Sequence, residues 1–215
     1  MTTKKQLDAM HLYAAIMEEA KIRLYSIDMA LGGATILPHQ LVREFCFLQL
    51  RMLCELVALG CLAAHGDIEE TTKLRKEWSA DRIMEKLAKL HLTFYPRPVV
   101  QTRHPEGHWH MENVTEPFLT KEELLNLNGK SGDVLHRGNL KKLLSPKTPI
   151  QTNFPDMAEW GRKIGVLLNK HAIFLMGGEV VLCTLRNPGD KDRVHVVMAE
   201  NRGPLALDGY SLPQT

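Results

Sequence analysis

PHQLVREFCFLQLRMLCELVALGCLAAH, residues 38–65, is the stretch whose reading decides the fold. It has no proline after Pro38, and its one glycine is Gly60. Pro38 suits the first turn of a helix, where its missing N–H would have no partner anyway. About 28 residues at ~1.5 Å each make a rod of roughly 42 Å. Steps of ~100° per residue place Gln40, Glu44, Arg51 and Glu55 in one sector about 60° wide. Nearly every other direction is apolar: Phe45, Cys46, Phe47, Leu48, Leu50, Met52, Leu53, Leu56, Val57 and Leu59. Such a helix must be buried, by protein or by lipid. Lipid fits poorly, because Arg51 and Glu55 would each cost about 2.5–3.5 kcal/mol near mid-membrane, and neither flank is polybasic. The rod is expected to be the core helix of a helical bundle, away from any membrane. Its polar sector is either a solvated strip, with Arg51–Glu55 an i,i+4 pair contributing about 0.2–0.5 kcal/mol, or one wall of a cleft.

The remaining segments read as shelter for that rod. Thr3 with Gln6 makes a capping box, and apolar residues from Tyr13 to Leu31 recur at helical spacing up to Gly32-Gly33. Two long helices joined by a short loop pack antiparallel. Asp67 with Glu70, and then Ser79, mark further helix starts, the second carrying Ile83, Met84, Leu87 and Leu90 on one side. Tyr95-Pro96-Arg97-Pro98 is extended. Val99 to Val114 reads as a hairpin around His104-Pro105-Glu106-Gly107, a type I turn. Thr120 with Glu123 opens a helical segment running to Leu144, which Ser145-Pro146-Lys147-Thr148-Pro149 breaks. Asp156 to Met176 reads as a helix, and Val180–Leu185 with Val194–Met198 as a second hairpin. The expected fold is mainly α, within the α+β class. One helical domain covers residues 1–200, with hairpin elaborations at about 95–116 and 179–199 that can share a small antiparallel sheet, and 201–215 form a polar tail.

Composition bounds the setting. A net charge of +2 over 215 residues does not by itself point to nucleic acid, so any basic face must be local. Cys46, Cys54, Cys61 and Cys183 include no CxxC pair. The three on the rod are too far apart along it for disulfides, and all four fit buried thiols in a reducing compartment. MTTKKQLDAM lacks a hydrophobic signal core, which reads as cytoplasmic.

Three groups of residues can carry chemistry. If the first hairpin turns at Pro105, then His104, His108 and His110 share a face, and imidazoles so placed can hold zinc with an open position. The carboxylates at hand are Glu106 and Glu112. Gly129-Lys130-Ser131 lacks the earlier glycine and preceding strand of a P-loop. Gly129-Lys130-Ser131-Gly132 has the form of the backbone clamp of KH domains, which it resembles in element order. Around it Lys130, Arg137, Lys141, Lys142 and Lys147 oppose only Asp133, a basic patch suited to nucleic acid.

His136 beside Arg137, together with Arg51 and Glu55 on the core helix, resembles the all-helical HEPN proteins. The resemblance covers residues 3–65 and 120–176, and it implies a metal-independent ribonuclease on a dimer interface, in a toxin or anti-phage setting. Where that family carries its arginine, a few residues before the histidine, this chain has Gly129, Lys130 and Ser131, so Lys130 is the nearest stand-in. In such a site His136 is the general base on a ribose 2′-OH, with Arg137 or Lys130 stabilising the charge. Asp133, Arg51 and Glu55 complete the candidate set. No GxSxG, HExxH or glycine-rich dinucleotide loop occurs, and no cofactor is expected. The sequence thus points to a non-catalytic cytosolic helical protein working through protein or nucleic-acid contacts, with RNA and a second copy as candidate partners. The alternatives are a HEPN-like ribonuclease using His136, and a metal-binding protein using the three hairpin histidines.

Overall fold

The computed structural model describes residues 3–66, 74, 76–136 and 154–200. Among them are five α-helices: α1 (Lys4–Leu31), α2 (His39–Ala64), α3 (Ala80–Leu90), α4 (Lys121–Leu135) and α5 (Phe154–Asn169). Five strands complete the fold: β1 (Arg97–Arg103), β2 (Trp109–Asn113), β3 (Lys170–Phe174), β4 (Glu179–Asn187) and β5 (Arg193–Glu200). They form one antiparallel sheet in the order β2-β1-β3-β4-β5. The architecture is mixed α+β.

The core helix and its caps follow the sequence closely. Thr3 and Gln6 form the capping box of α1, and Thr120 and Glu123 that of α4. Pro38 stands at the N-cap of α2, one residue earlier than its chemistry suggested. Leu41–Ala64 is long and apolar enough to cross a membrane, yet 67% of its most apolar window is buried inside the protein. α1 runs antiparallel along it: Arg23 donates to Gln49 at 2.8 Å, while further along Tyr13 and Met17 lie over Gly60. A Cβ at Gly60 would stand 3.1 Å from Met17 Cε and 3.2 Å from Tyr13 Cε2. The glycine lets α1 and α2 pack closely at this point.

Two expectations need correction. The helix expected over residues 156–176 ends at Asn169, and Lys170–Phe174 is a strand. Ala172 and Leu175 continue a helical spacing from Leu168, but a run this short fits either period. Pairing on both sides decides it, with Pro98↔His171 toward β1 and Cys183↔His171 toward β4. This strand joins the two expected hairpins, so the sheet is larger than two hairpins side by side. Second, Gly129-Lys130-Ser131-Gly132 lies inside α4. A backbone clamp of the KH kind needs a loop there, and that resemblance fails. The helix start at Asp67, the basic residues beyond His136 up to Lys147, and the tail at 201–215 lie outside the described residues.

All five helices and the inner face of β3–β5 share one core, which includes Ile173, Val181, Cys183 and Leu185 from the sheet. Ala172, Phe174, Val180 and Leu182 point the other way and form a smaller cluster with Val99. The four cysteines are free and buried. Burial pushes the Cys46 thiol up to about 11 and, with the nearby Glu18 charge, that of Cys183 up to about 12.

At the centre of the helix–sheet contact, His171 is fully buried. Its Nδ1 donates to Leu168 O at 3.0 Å, so Nε2 accepts the hydroxyl of Tyr13. Burial pulls the imidazole down to about 4, partly opposed by the bond to Leu168. The unfolded chain takes up this proton near 6.5, so its stabilising contribution is complete above that pH and fades as pH falls toward 4. The loss is roughly 1.4 kcal/mol per pH unit within that window. Thermal unfolding measured at pH 7 and pH 5 should show a lower midpoint at pH 5. Equal midpoints would mean that His171 is not held neutral in the core.

Candidate functional site

α4 is pinned before it reaches the polar part of α2. Beyond its capping box, Glu123 pairs with Lys163 of α5, and the Tyr95 hydroxyl donates to Leu119 O at 2.9 Å. Leu124 and Leu127 then pack inward, and the same buried face continues into Asn128 and Ser131. Gly132 follows. A Cβ there would stand 2.9 Å from Arg51 Nη1, so the guanidinium lies across backbone left bare by the glycine. Arg51 Nε donates to Glu55 Oε1 at 3.2 Å, with side chains 27% and 22% exposed. Asn128 Nδ2 makes a long contact, 3.4 Å, with Asp81 Oδ1 in the first turn of α3. Burial, then the carboxylates of Glu55 and Asp81, push the Cys54 thiol up.

The seam between α2, α3 and α4 is thus a polar inclusion in an apolar contact. Two of its atoms, Asn128 Oδ1 and Ser131 Oγ, are buried with no hydrogen-bond partner. Each such orphan costs about 1–3 kcal/mol. α4 ends at Leu135, and His136 caps it with its N–H donating to Gly132 O at 3.0 Å. The exposed His136 stands four residues beyond Gly132, where the backbone has turned extended.

The candidate residues therefore divide. Arg51 and Glu55 lie against the last turn of α4 at Gly132, and His136 follows as the exposed C-cap of that helix. Glu44 stays exposed, so the polar strip of α2 is solvated at one end and covered by α4 at the other. Lys130 and Asp133 are on the exposed side of α4, with Lys130 Nζ 3.9 Å from Asp156 Oδ2. Arg137, Lys141, Lys142 and Lys147 lie outside the described residues. Asp81, Asn128, Ser131 and Gly132 were not singled out as members of this seam, although Leu124-Leu127-Asn128-Ser131 already shows two polar residues on an apolar stripe.

At the hairpin tip His104 and His108 face each other as expected, and His104 N donates to His108 O at 2.9 Å. His110 does not complete a trio with them. It pairs across to Thr102, and its Nε2 lies 3.5 Å from Glu112. The third group gathered with His104 and His108 is the carboxylate of Glu106.

Two cavities flank these elements. One, about 400 Å³, is walled by Phe94, Tyr95, Pro96 and Phe118 and also by Arg97 and Lys121. Lys121 is 3.7 Å from Glu122 within it. The other is a groove of about 320 Å³ at the α1–α2 turn, walled by Tyr25, Met29, Leu37 and Phe45. Ile36 stands fully exposed at 102% in the same turn. Comparison of the chain with protein-family models, curated proteins and solved structures found no match.

Ser131 gives the seam a direct test. Removing an unpartnered buried hydroxyl is expected to be neutral or to stabilise by up to about 1 kcal/mol. Ser131→Ala should therefore unfold in urea at the wild-type midpoint or above it. A midpoint lower by the equivalent of 1 kcal/mol or more would show that the hydroxyl is satisfied.

Proposed function

We propose that this chain is a non-catalytic protein of the cytosol that works by self-association through the apolar face of its α1–α2 hairpin. The observation that carries this reading is Ile36, wholly exposed next to a groove of apolar walls. A projecting side chain and a recess on one surface suit a twofold contact, in which each copy fills the other. On the same two helices Ile22, Tyr25, Leu41 and Leu48 are also exposed, by 61%, 56%, 45% and 43%. Grouped exposed apolar side chains mark contact surfaces.

Nucleic acid is less well supported by the described charges. Arg51 is paired with Glu55, and Lys130 Nζ lies 3.9 Å from Asp156 Oδ2. The test of self-association is Ile36→Asp, which alters a side chain that touches little in the monomer. Sedimentation velocity should find wild-type dimers at micromolar concentration and monomers of the variant. A wild-type chain that stays monomeric there, or a variant that dimerises equally well, overturns the reading.

A second reading, metal-independent RNA cleavage of the kind the HEPN resemblance implies, is favoured by one observation. Arg51 of α2 lies against Gly132, four residues before His136, and would supply the cation that the sequence before the histidine lacks. In that reading His136 takes the proton of a ribose 2′-OH and the oxygen attacks phosphorus. The P–O5′ bond breaks to leave a 2′,3′-cyclic phosphate, and the departing 5′-oxygen takes a proton from water. Arg51 stabilises the charge that develops on the phosphate oxygens. Glu55 would hold the guanidinium in place. RNA cleavage should then fall about 10²–10⁴-fold in His136→Ala, and by a comparable amount in Arg51→Ala. Cleavage indifferent to both substitutions would remove this mechanism.

A further inference from the structure

We propose that His104, Glu106 and His108 form a binding site for a first-row divalent transition metal, zinc in the first instance, at the tip of the β1–β2 hairpin. The site is independent of the contact face proposed above and of the seam at Arg51.

The turn brings the ligands together. Pro105 and Glu106 occupy its two central positions, and Gly107 N donates to His104 O at 2.9 Å. Gly107 adopts φ +90°, a conformation costly for any residue with a side chain, after which the chain returns with His108 opposite His104. Their rings stack with centroids 4.4 Å apart and planes 17° from parallel. Glu106 projects between them, its Oε2 3.9 Å from each Nδ1. One ligand atom from each residue lies within 4.8 Å of the others. Ligands about 2.0–2.2 Å from a tetrahedral zinc ion stand roughly 3.4 Å from one another, so the carboxylate must close in by about half an ångström.

The donor set selects the class of ion. Two imidazole nitrogens and one carboxylate oxygen suit zinc, nickel or copper, whereas calcium and magnesium prefer oxygen alone. Three protein ligands leave a fourth position for water. A lone pair lies in the plane of its ring, so the two near-parallel imidazoles must swing toward a common point to take up the ion. The side chains are 48%, 76% and 58% exposed in chain order, and little packing resists that movement. The long 3.4 Å contact from Glu106 N to His104 Nδ1 is lost in the process. His110, turned to Glu112, is not a ligand.

The test uses the full-length chain without a histidine tag, freed of metal by chelation and titrated with zinc in a calorimeter. One zinc per chain is expected, accompanied by shifts of the His104 and His108 ring resonances in NMR spectra. His104→Ala, His108→Ala and Glu106→Gln should each weaken binding about tenfold or more, while His110→Ala should leave it unchanged. Circular dichroism checks that the variants, all at exposed positions, keep the fold. Three outcomes overturn the proposal: no zinc bound, binding indifferent to Glu106→Gln, or binding lost in His110→Ala.

Discussion

Burial of α2 is the constraint on which the rest of the structure depends. Phe47, Leu50, Leu53, Leu56 and Val57 are each at most 5% exposed, and burying one such side chain contributes about 1.5–3 kcal/mol. Together they are as large as the whole net stability of a typical domain, about 5–15 kcal/mol. The chain therefore cannot leave this helix uncovered. α1 covers it along Gly60 and Gln49, α4 covers the side that carries Arg51, and α3 and α5 contribute to the same core. Of these, α1 and α4 start at capping boxes, and the Glu123–Lys163 ion pair ties α4 to α5.

The polar groups under α4 run against that logic. An apolar α2–α4 contact would bury Leu124, Leu127 and their neighbours with no orphaned atoms. Here Asn128 and Ser131 occupy two positions of the same face, and Gly132 admits the Arg51 guanidinium. Its bond to Glu55 is single and long. An ion pair of this kind, partly exposed, contributes little to stability, so stability gives no account of why the seam is polar.

Three surfaces of the molecule are thus chemically distinct. The α1–α2 turn is apolar, with a projection and a recess side by side. The last turn of α4 meets the Arg51–Glu55 pair of α2. The hairpin tip places two imidazoles and a carboxylate within reach of one another. The first two surfaces share α2, whereas the hairpin tip draws on neither α2 nor α4.

The sequence by itself determined the elements whose causes are local. The long core helix, both capping boxes, the Pro105–Gly107 turn and the burial of the cysteines follow from periodicity, caps and turn residues within a few positions of one another. Only the tertiary structure decided whether Lys170–Phe174 is helix or strand, because its spacing suits both and the pairing partners Pro98 and Cys183 lie far away in the chain. The same holds for the sites. His110 and Lys130 stood close in sequence to their supposed partners and instead lie near Glu112 and Asp156, whereas Arg51 meets Gly132 across some eighty positions. Side-chain grouping depends on which helix faces pack together. That choice belongs to the energy of the whole core, and no local stretch encodes it.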